Sequence, residues 1–204
     1  MTTVAMGSSN QLSMSIMNLM HEFRHEVFVG RLGWSLPLVN GVERDQYDTS
    51  DAKYVVISDS AERVTACARL LPTTRSYMLP DLFPQLLGGG QAPRAGDIWE
   101  LSRFATSVRK TREGRVLSLA KPTLELLELV LDFARQHDVK RLLLVTSIGI
   151  ERLMLRAGVA AHRLAAPALV DGNLCVALVI EVSAPAETTV SHCTAANHEL
   201  ECCA

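Results

Sequence analysis

Charged side chains sit inside runs that are otherwise apolar, and this constrains the fold of the chain more than any other feature. Arg69 lies within Val64–Leu71, Glu100 and Arg103 within Ile98–Ala105, and Arg24 within an amphipathic run from about Gln11 to Arg31. Asp45 and Asp48 come from an acidic, irregular stretch between Pro37 and Asp51. An ionised group near a core is costly unless it is paired and hydrogen-bonded. Three arginines and three carboxylates are therefore expected to neutralise one another in one cluster. Two uses for such a cluster stay open. It can be a structural ion network that fixes the amino-terminal loop. It can also be a binding site for a zwitterionic ligand, with carboxylates for the ammonium and guanidinium groups for the carboxylate.

Periodicity places these residues on elements. The helical run repeats Ile16, Met20, Phe23 and Val27 at three- and four-residue steps. Tyr54–Ile57 and Val64–Leu71 read as a hairpin, and Ile98–Ala105 as a third strand. Strict alternation on that strand sends Glu100, Ser102 and Phe104 to one face, and Trp99, Leu101 and Arg103 to the other. A short helix is expected near Leu82–Leu87, a basic loop over Val108–Arg115 and a long helix over Val116–Gln136. A strand Leu142–Ser147, a helix Glu151–Ala157 and a last strand Leu174–Val182 follow. The first ten residues and residues 184–204 read as frayed ends. This order predicts an α/β protein: a mixed, mainly antiparallel sheet flanked by helices, resembling the acetyltransferase-like (GNAT-like) αβα sandwich. A single domain over residues 1–185 with a flexible tail over 186–204 is expected.

The 204 residues carry a net charge of −2, which hides a split. Residues 103–163 sum to +6 and the rest to −8. A positive region on a near-neutral protein points to an anionic partner or to an ordinary solvated surface. Duplex-binding motifs are absent and only 5% of residues are aromatic, so no nucleic-acid partner is expected. No apolar run reaches the roughly 18 residues of a membrane helix, and no basic residue precedes Arg24 as a secretory leader would require. A cytoplasmic protein with no membrane partner is expected. Cys67 and Cys175 lie in apolar runs as small hydrophobes, whereas Cys193, Cys202 and Cys203 fall in the tail with His192 and His198. No metal is expected.

Arg24-x3-Phe28, Gly33-Trp34, Glu43-Arg44-Asp45-Gln46-Tyr47-Asp48, Ala68-Arg69-Leu70-Leu71-Pro72-Thr73-Thr74, Phe83-Pro84 and Trp99-Glu100-Leu101-Ser102-Arg103-Phe104 occur in this order. Each piece is common alone, but the ordered set resembles the LuxI-type acyl-homoserine-lactone synthases, from about Phe23 to Val182. The family's hallmark positions correspond to Arg24, Phe28, Trp34, Asp45, Asp48, Arg69, Phe83, Glu100 and Arg103.

The resemblance implies a quorum-sensing enzyme with two substrates, S-adenosylmethionine and an acyl-acyl carrier protein. The methionine amine takes the acyl group, the carboxylate closes the lactone, and methylthioadenosine leaves. S-adenosylmethionine is consumed, so no cofactor is expected. Glu100 is the candidate base, with Asp45, Asp48, Arg69 and Arg103 in the catalytic set. Arg24, Phe28, Trp34, Ser102, Phe104 and Thr146 are the substrate-binding candidates. Backbone N–H groups over Ser102–Phe104 are candidate donors to the thioester oxygen. In this family a hydroxyl residue near Thr146 accompanies acyl chains oxygenated at the third carbon, which favours a 3-oxo or 3-hydroxy medium chain. Met78, Leu101, Leu124, Leu144, Met154, Leu155 and Leu178 are candidate acyl-pocket residues. The carrier protein is acidic, and Arg103, Arg109, Lys110, Arg112, Arg115, Lys140, Arg141, Arg152 and Arg156 form the pool for its docking. The alternatives are an acetyl-coenzyme A-dependent N-acyltransferase of the same fold and a non-catalytic ligand-sensing domain. The first calls for a Q-x-x-G-x-G loop, and Arg109–Arg115 holds one glycine.

Overall fold

The computed structural model describes residues 2–107 and 121–182. The expected basic loop Val108–Arg115, the first turn of the long helix and the cysteine-containing tail lie outside the described residues.

The Ser13 Oγ accepts the Ile16 N–H at 3.2 Å and starts α1 (Met14–Arg24). The helix runs on into a π-helical segment, His25–Arg31, so the amphipathic run becomes one continuous rod. The wider π turn seats the neighbours Val27 and Phe28 together in the core. A small hairpin follows, β2 (Leu38–Val39) and β3 (Val42–Glu43), around Asn40-Gly41, both at positive φ. The Pro37–Asp51 stretch, expected to be irregular, is thus partly ordered by a two-residue turn of the Asn-Gly kind.

The main sheet contains β1 (Thr3–Ser8), β4 (Lys53–Ser58), β5 (Val64–Pro72), β6 (Ile98–Thr106), β7 (Arg141–Ser147), β8 (Ala161–Arg163), β9 (Ala168–Val170) and β10 (Asn173–Glu181). Its order is β1-β4-β5-β6-β7-β10-β8, with β9 paired to the start of β10. All pairings are antiparallel except β6 with β7. The first ten residues do not fray: β1 pairs with β4 along its whole length. Burial along it rises from exposed Thr3 and Val4 to buried Gly7 and Ser8 instead of alternating, so hydrophobic patterning carries little trace of it.

Alternation divides two cores. Tyr54, Val56, Cys67 and Leu71 face Met20, Phe23, Val27 and Phe28 of the amino-terminal rod. On the other side Val55, Leu70, Trp99, Leu101, Leu142 and Val176 pack on Leu126, Leu127, Val130, Phe133 and Ala134 of α3 (Lys121–Gln136). Leu124 and Leu131 are half-buried and flank this stripe. α4 (Ile148–Arg156) packs on the same side, capped at Ser147. The short helical region comprises α2 (Met78–Leu82) and a 3-10 turn, Pro84–Leu87, starting four residues earlier than expected. The result is the mixed αβα sandwich that the element order predicts. No helix among the described residues is long and apolar enough to cross a membrane.

Two irregularities at the centre of the sheet shape the site. β6 pairs with β7 only over Ile98–Leu101 and Arg141–Leu144, and beyond that both strands run on unpaired with each other. The sheet splits there. Opposite β5, the register shifts between Cys67 and Arg69, so that Arg103 and Phe104 share the space of one partner, and Arg103 takes φ +49°. This bulge reverses the alternation. Arg103 lies on the Glu100 face, and Phe104 moves to the α3 face with Leu101. The expected placement of both residues on opposite faces is corrected accordingly.

Candidate active site

The end of α1, strand β3 and the loop after it, strand β5 and the β6 bulge bring six ions to one buried point. Arg24, fully enclosed, gives its Nε to Glu43 and grips Asp48 with both terminal nitrogens at 2.7 and 3.0 Å. Arg69 lies in bidentate fashion on Asp45 at 2.5 and 3.1 Å and reaches Asp48 Oδ1 at 3.0 Å. Arg103 donates to Glu43 at 3.0 and 3.1 Å and to Asp45 at 2.7 Å. Tyr54 Oη adds a hydrogen bond to Asp48 at 3.1 Å. Three guanidinium groups and three carboxylates cancel, as the burial cost requires. Burial alone would raise the Asp48 carboxyl, but Arg24 and Arg69 override it and hold the group well below the usual carboxylate range.

The third carboxylate is Glu43, not Glu100. Glu43 was legible only as part of the acidic motif, because it looks like one charge in a polar loop. Its strand position turns it inward while Val42 and Arg44 point away. Glu100 accepts the backbone N–H groups of Met78 and Leu79, both at 2.7 Å, at the start of α2. Burial pushes its carboxyl up to about 7, while those two N–H groups and the charge of Arg69 pull the other way. It is thus a buried carboxylate next to the network without being neutralised by it. Met78 links the two, since its Sδ lies 3.2 Å from Arg69 Nη2.

The other candidates divide by face. Ser102 Oγ accepts from Arg69 Nε at 3.1 Å, inside the ionic network. Phe28 is buried, stacks on Trp34 at 5.1 Å, and has the Arg103 guanidinium 5.6 Å from its ring centre. Trp34 is 47% exposed and forms the outer wall. Phe104 and Thr146 are half-buried on the α3 side, past the point where β6 and β7 part. Thr146 is in register with Val176, and alternation puts it with Leu142 and Leu144. Leu155 is exposed, 48%, and leaves the pocket set. Met78 also leaves it, because it belongs to the ionic face. Phe83 is partly buried packing. Arg103 is 8% exposed and committed to Glu43 and Asp45, so it is withdrawn from the docking pool. Arg109, Lys110, Arg112 and Arg115 lie outside the described residues. Cys67 is buried, and burial pushes its thiol up to about 12, as suits an inert core group; Cys175 is only half-buried. No group of three or more metal-ligating side chains occurs among the described residues.

Residues 8–190 match the autoinducer synthase family. The chain belongs to it. This synthase is 38% identical over 179 residues to an acyl-homoserine-lactone synthase of Acinetobacter nosocomialis, covering 86% of this chain and 97% of that one. The solved structure of the AHL synthase LasI superposes with a TM-score of 0.79 at 34% identity, over 90% and 91% of the two chains. The CoA-dependent acyl-homoserine lactone synthase BjaI, solved with SAM and isopentyl-CoA, gives 0.78 at 26% identity, over 90% and 84%. The synthase is accordingly an acyltransferase that makes an acyl-homoserine-lactone autoinducer.

Proposed function

We propose that the synthase builds its lactone from S-adenosylmethionine and an acyl-acyl carrier protein. One observation carries the reading: the split between β6 and β7 opens between two unlike faces of the sheet. On one face lie Glu100, Asp45, Arg103 and the Phe28–Trp34 wall; on the other lie Phe104, Thr146 and apolar residues under α3. A polar sulfonium amino acid fits the first and a fatty chain the second, so their reacting atoms meet in the gap. The SAM bound in BjaI supports the first substrate.

Amide formation comes first. Glu100, or a water held by it, takes a proton from the substrate ammonium, and the free amine attacks the thioester carbon. The carbon–nitrogen bond forms, the carbon–sulfur bond breaks, and the carrier leaves as a thiol. Main-chain N–H groups freed from the ladder at the Arg103 bulge are the candidate donors to the thioester oxygen. Lactonisation follows when the substrate carboxylate attacks the γ-carbon, whose bond to the sulfonium sulfur breaks and releases methylthioadenosine. The solvent-side edge of the ionic network, Asp45 and Arg103, holds the ammonium and carboxylate. The aromatic face of Trp34 attracts the sulfonium. Deeper pairs, Arg24 with Glu43 and Asp48, hold the loop in place.

The carrier-protein donor rests on charge: Lys140, Arg141, Arg152 and Arg156 are all exposed around the carboxyl-terminal half. The second reading, an acyl-coenzyme A donor, rests on the ligand of BjaI. Thr146, half-buried behind the split, favours an acyl chain with oxygen at its third carbon. Purified protein given labelled S-adenosylmethionine and a panel of acyl carriers tests all of this. Methylthioadenosine release with carrier-bound 3-oxo or 3-hydroxy chains is expected. Faster turnover with acyl-coenzyme A overturns the donor, and a Thr146→Ala variant with unchanged preference for oxygenated chains overturns the chain assignment.

A further inference from the structure

A cleft of about 300 Å³ that the reaction does not use opens between α1 and the β2–β3 hairpin. Its volume is at the lower end of small-ligand sites, about 300–1,000 Å³. Asn18, His21 and Glu22 line one wall, and their spacing puts them on one helix face. Val39, Asn40, Val42 and Arg44 line the other. Val39 and Val42 are cross-strand partners, and Arg44 shares their side, whereas Glu43 between them turns into the ionic network. The two sites therefore lie on opposite sides of one strand.

His21 is the polar group at the bottom of this cleft, and it is 6% exposed. Its Nδ1 lies 2.9 Å from the Glu43 carbonyl oxygen; since the carbonyl accepts, Nδ1 carries the proton. Burial, and then the charge of Arg24, lower its pKa, so the ring is neutral near pH 7 and Nε2 presents a lone pair. Nε2 has no hydrogen-bond partner among the described residues. No fully enclosed side-chain nitrogen or oxygen there lacks a partner, so Nε2 is reached through the cleft. At the rim, Glu22 and Arg44 are exposed, opposite in sign and, among the described residues, in no ion pair.

We infer that this cleft is an accessory site for a small aliphatic α-amino acid. The ammonium donates to His21 Nε2 and to the Glu22 carboxylate. The carboxylate accepts from Arg44, and the side chain lies on Val39 and Val42. A simple cation leaves Arg44 unused and a simple anion leaves Glu22 and His21 unused; a zwitterion of this size uses all three.

Titration calorimetry of the full chain with L-valine tests the inference. Isobutylamine lacks the carboxylate and isovalerate lacks the ammonium, so the two fragments separate the charges. All titrations include saturating S-adenosylmethionine, which removes the active-site chamber as an alternative. Valine is expected to bind, and each fragment, and each of Glu22→Gln and Arg44→Gln, to weaken binding by about tenfold or more. The His21 Nε2 nitrogen resonance should shift on valine addition in the wild type. Absence of binding up to about 10 mM valine, equal binding by either fragment, or equal binding in the exposed-residue variants overturns the inference. None of these outcomes depends on which acyl donor the synthase uses.

Discussion

At the residue scale, Glu43 and Glu100 show how one side chain type takes two roles through its surroundings. Glu43 receives Arg24 and Arg103 and is fully buried, so it acts as a counter-ion. Replacing it by Gln leaves two enclosed guanidinium groups short of a charge, which costs about 3–5 kcal/mol for a buried pair broken on one side. Urea unfolding of Glu43→Gln measures this; a loss under about 1 kcal/mol would show the network to be dispensable for stability. Glu100 has no such partner, and burial raises it to about 7. A raised carboxyl is protonated below that pH, and a protonated base cannot accept. The rate kcat/KM should therefore fall about tenfold per pH unit on the acid side of about 7, and Glu100→Gln should lose about 10²–10⁴-fold at pH 8 together with that limb. A Gln variant that keeps the wild-type pH profile would remove Glu100 from proton transfer.

At the element scale, the sheet was legible where a strand is buried on both faces, because that leaves a short, nearly continuous apolar run bounded by polar turns. Tyr54–Ile57, Val64–Leu71 and Leu142–Ser147 all fall within a residue or two of the observed strands. The edge strand β1 and the short β8 and β9 were not legible, since none carries an alternating or continuous apolar run long enough to read as a strand. Nor was the Arg103 bulge, although it decides the site. Strict alternation separates Glu100 from Arg103; the extra residue at φ +49° reunites them and turns Phe104 toward α3. The clustering of arginines with acidic residues was legible from burial cost alone, whereas the choice of Glu43 over Glu100 depended on hairpin geometry. The split gives its own test. Thr146→Phe places a ring on the α3 face beside the gap and leaves the ionic face untouched. Its kcat/KM for the acyl donor should fall about 10–100-fold through lost alignment of the thioester, while S-adenosylmethionine affinity changes less than about twofold. Equal losses for both substrates, measured by initial rates and calorimetry, would mean that the acyl chain does not pass through the split.

At the scale of the whole molecule, the charge asymmetry and the two-sided architecture combine. The acidic amino-terminal half spends Glu43, Asp45 and Asp48 internally, so those carboxylates contribute little field outside. The positive half behaves differently. Lys140, Arg141, Arg152 and Arg156 are exposed, and Arg152 and Arg156 are one helical turn apart on α4. α4 begins directly after β7, on the side of the sheet where the acyl chain is proposed to lie. Exposed charges of this kind act mainly on encounter rate, and their effect is screened over about 10 Å at 0.1 M salt. A carrier protein should be steered by them, whereas a small thioester carrying little charge should not. Reversing both arginines, Arg152→Glu with Arg156→Glu, should cut kcat/KM for the carrier-bound substrate about 10–100-fold at low salt. The same double variant should turn over an acyl-pantetheine thioester within about twofold of wild type, because the two faces beside the split are unchanged. Rising salt should slow the wild type with carrier-bound substrate and leave the double variant nearly flat. If both donors lose rate equally, α4 supports the acyl chamber rather than the encounter, and the docking surface must be sought elsewhere on the positive half.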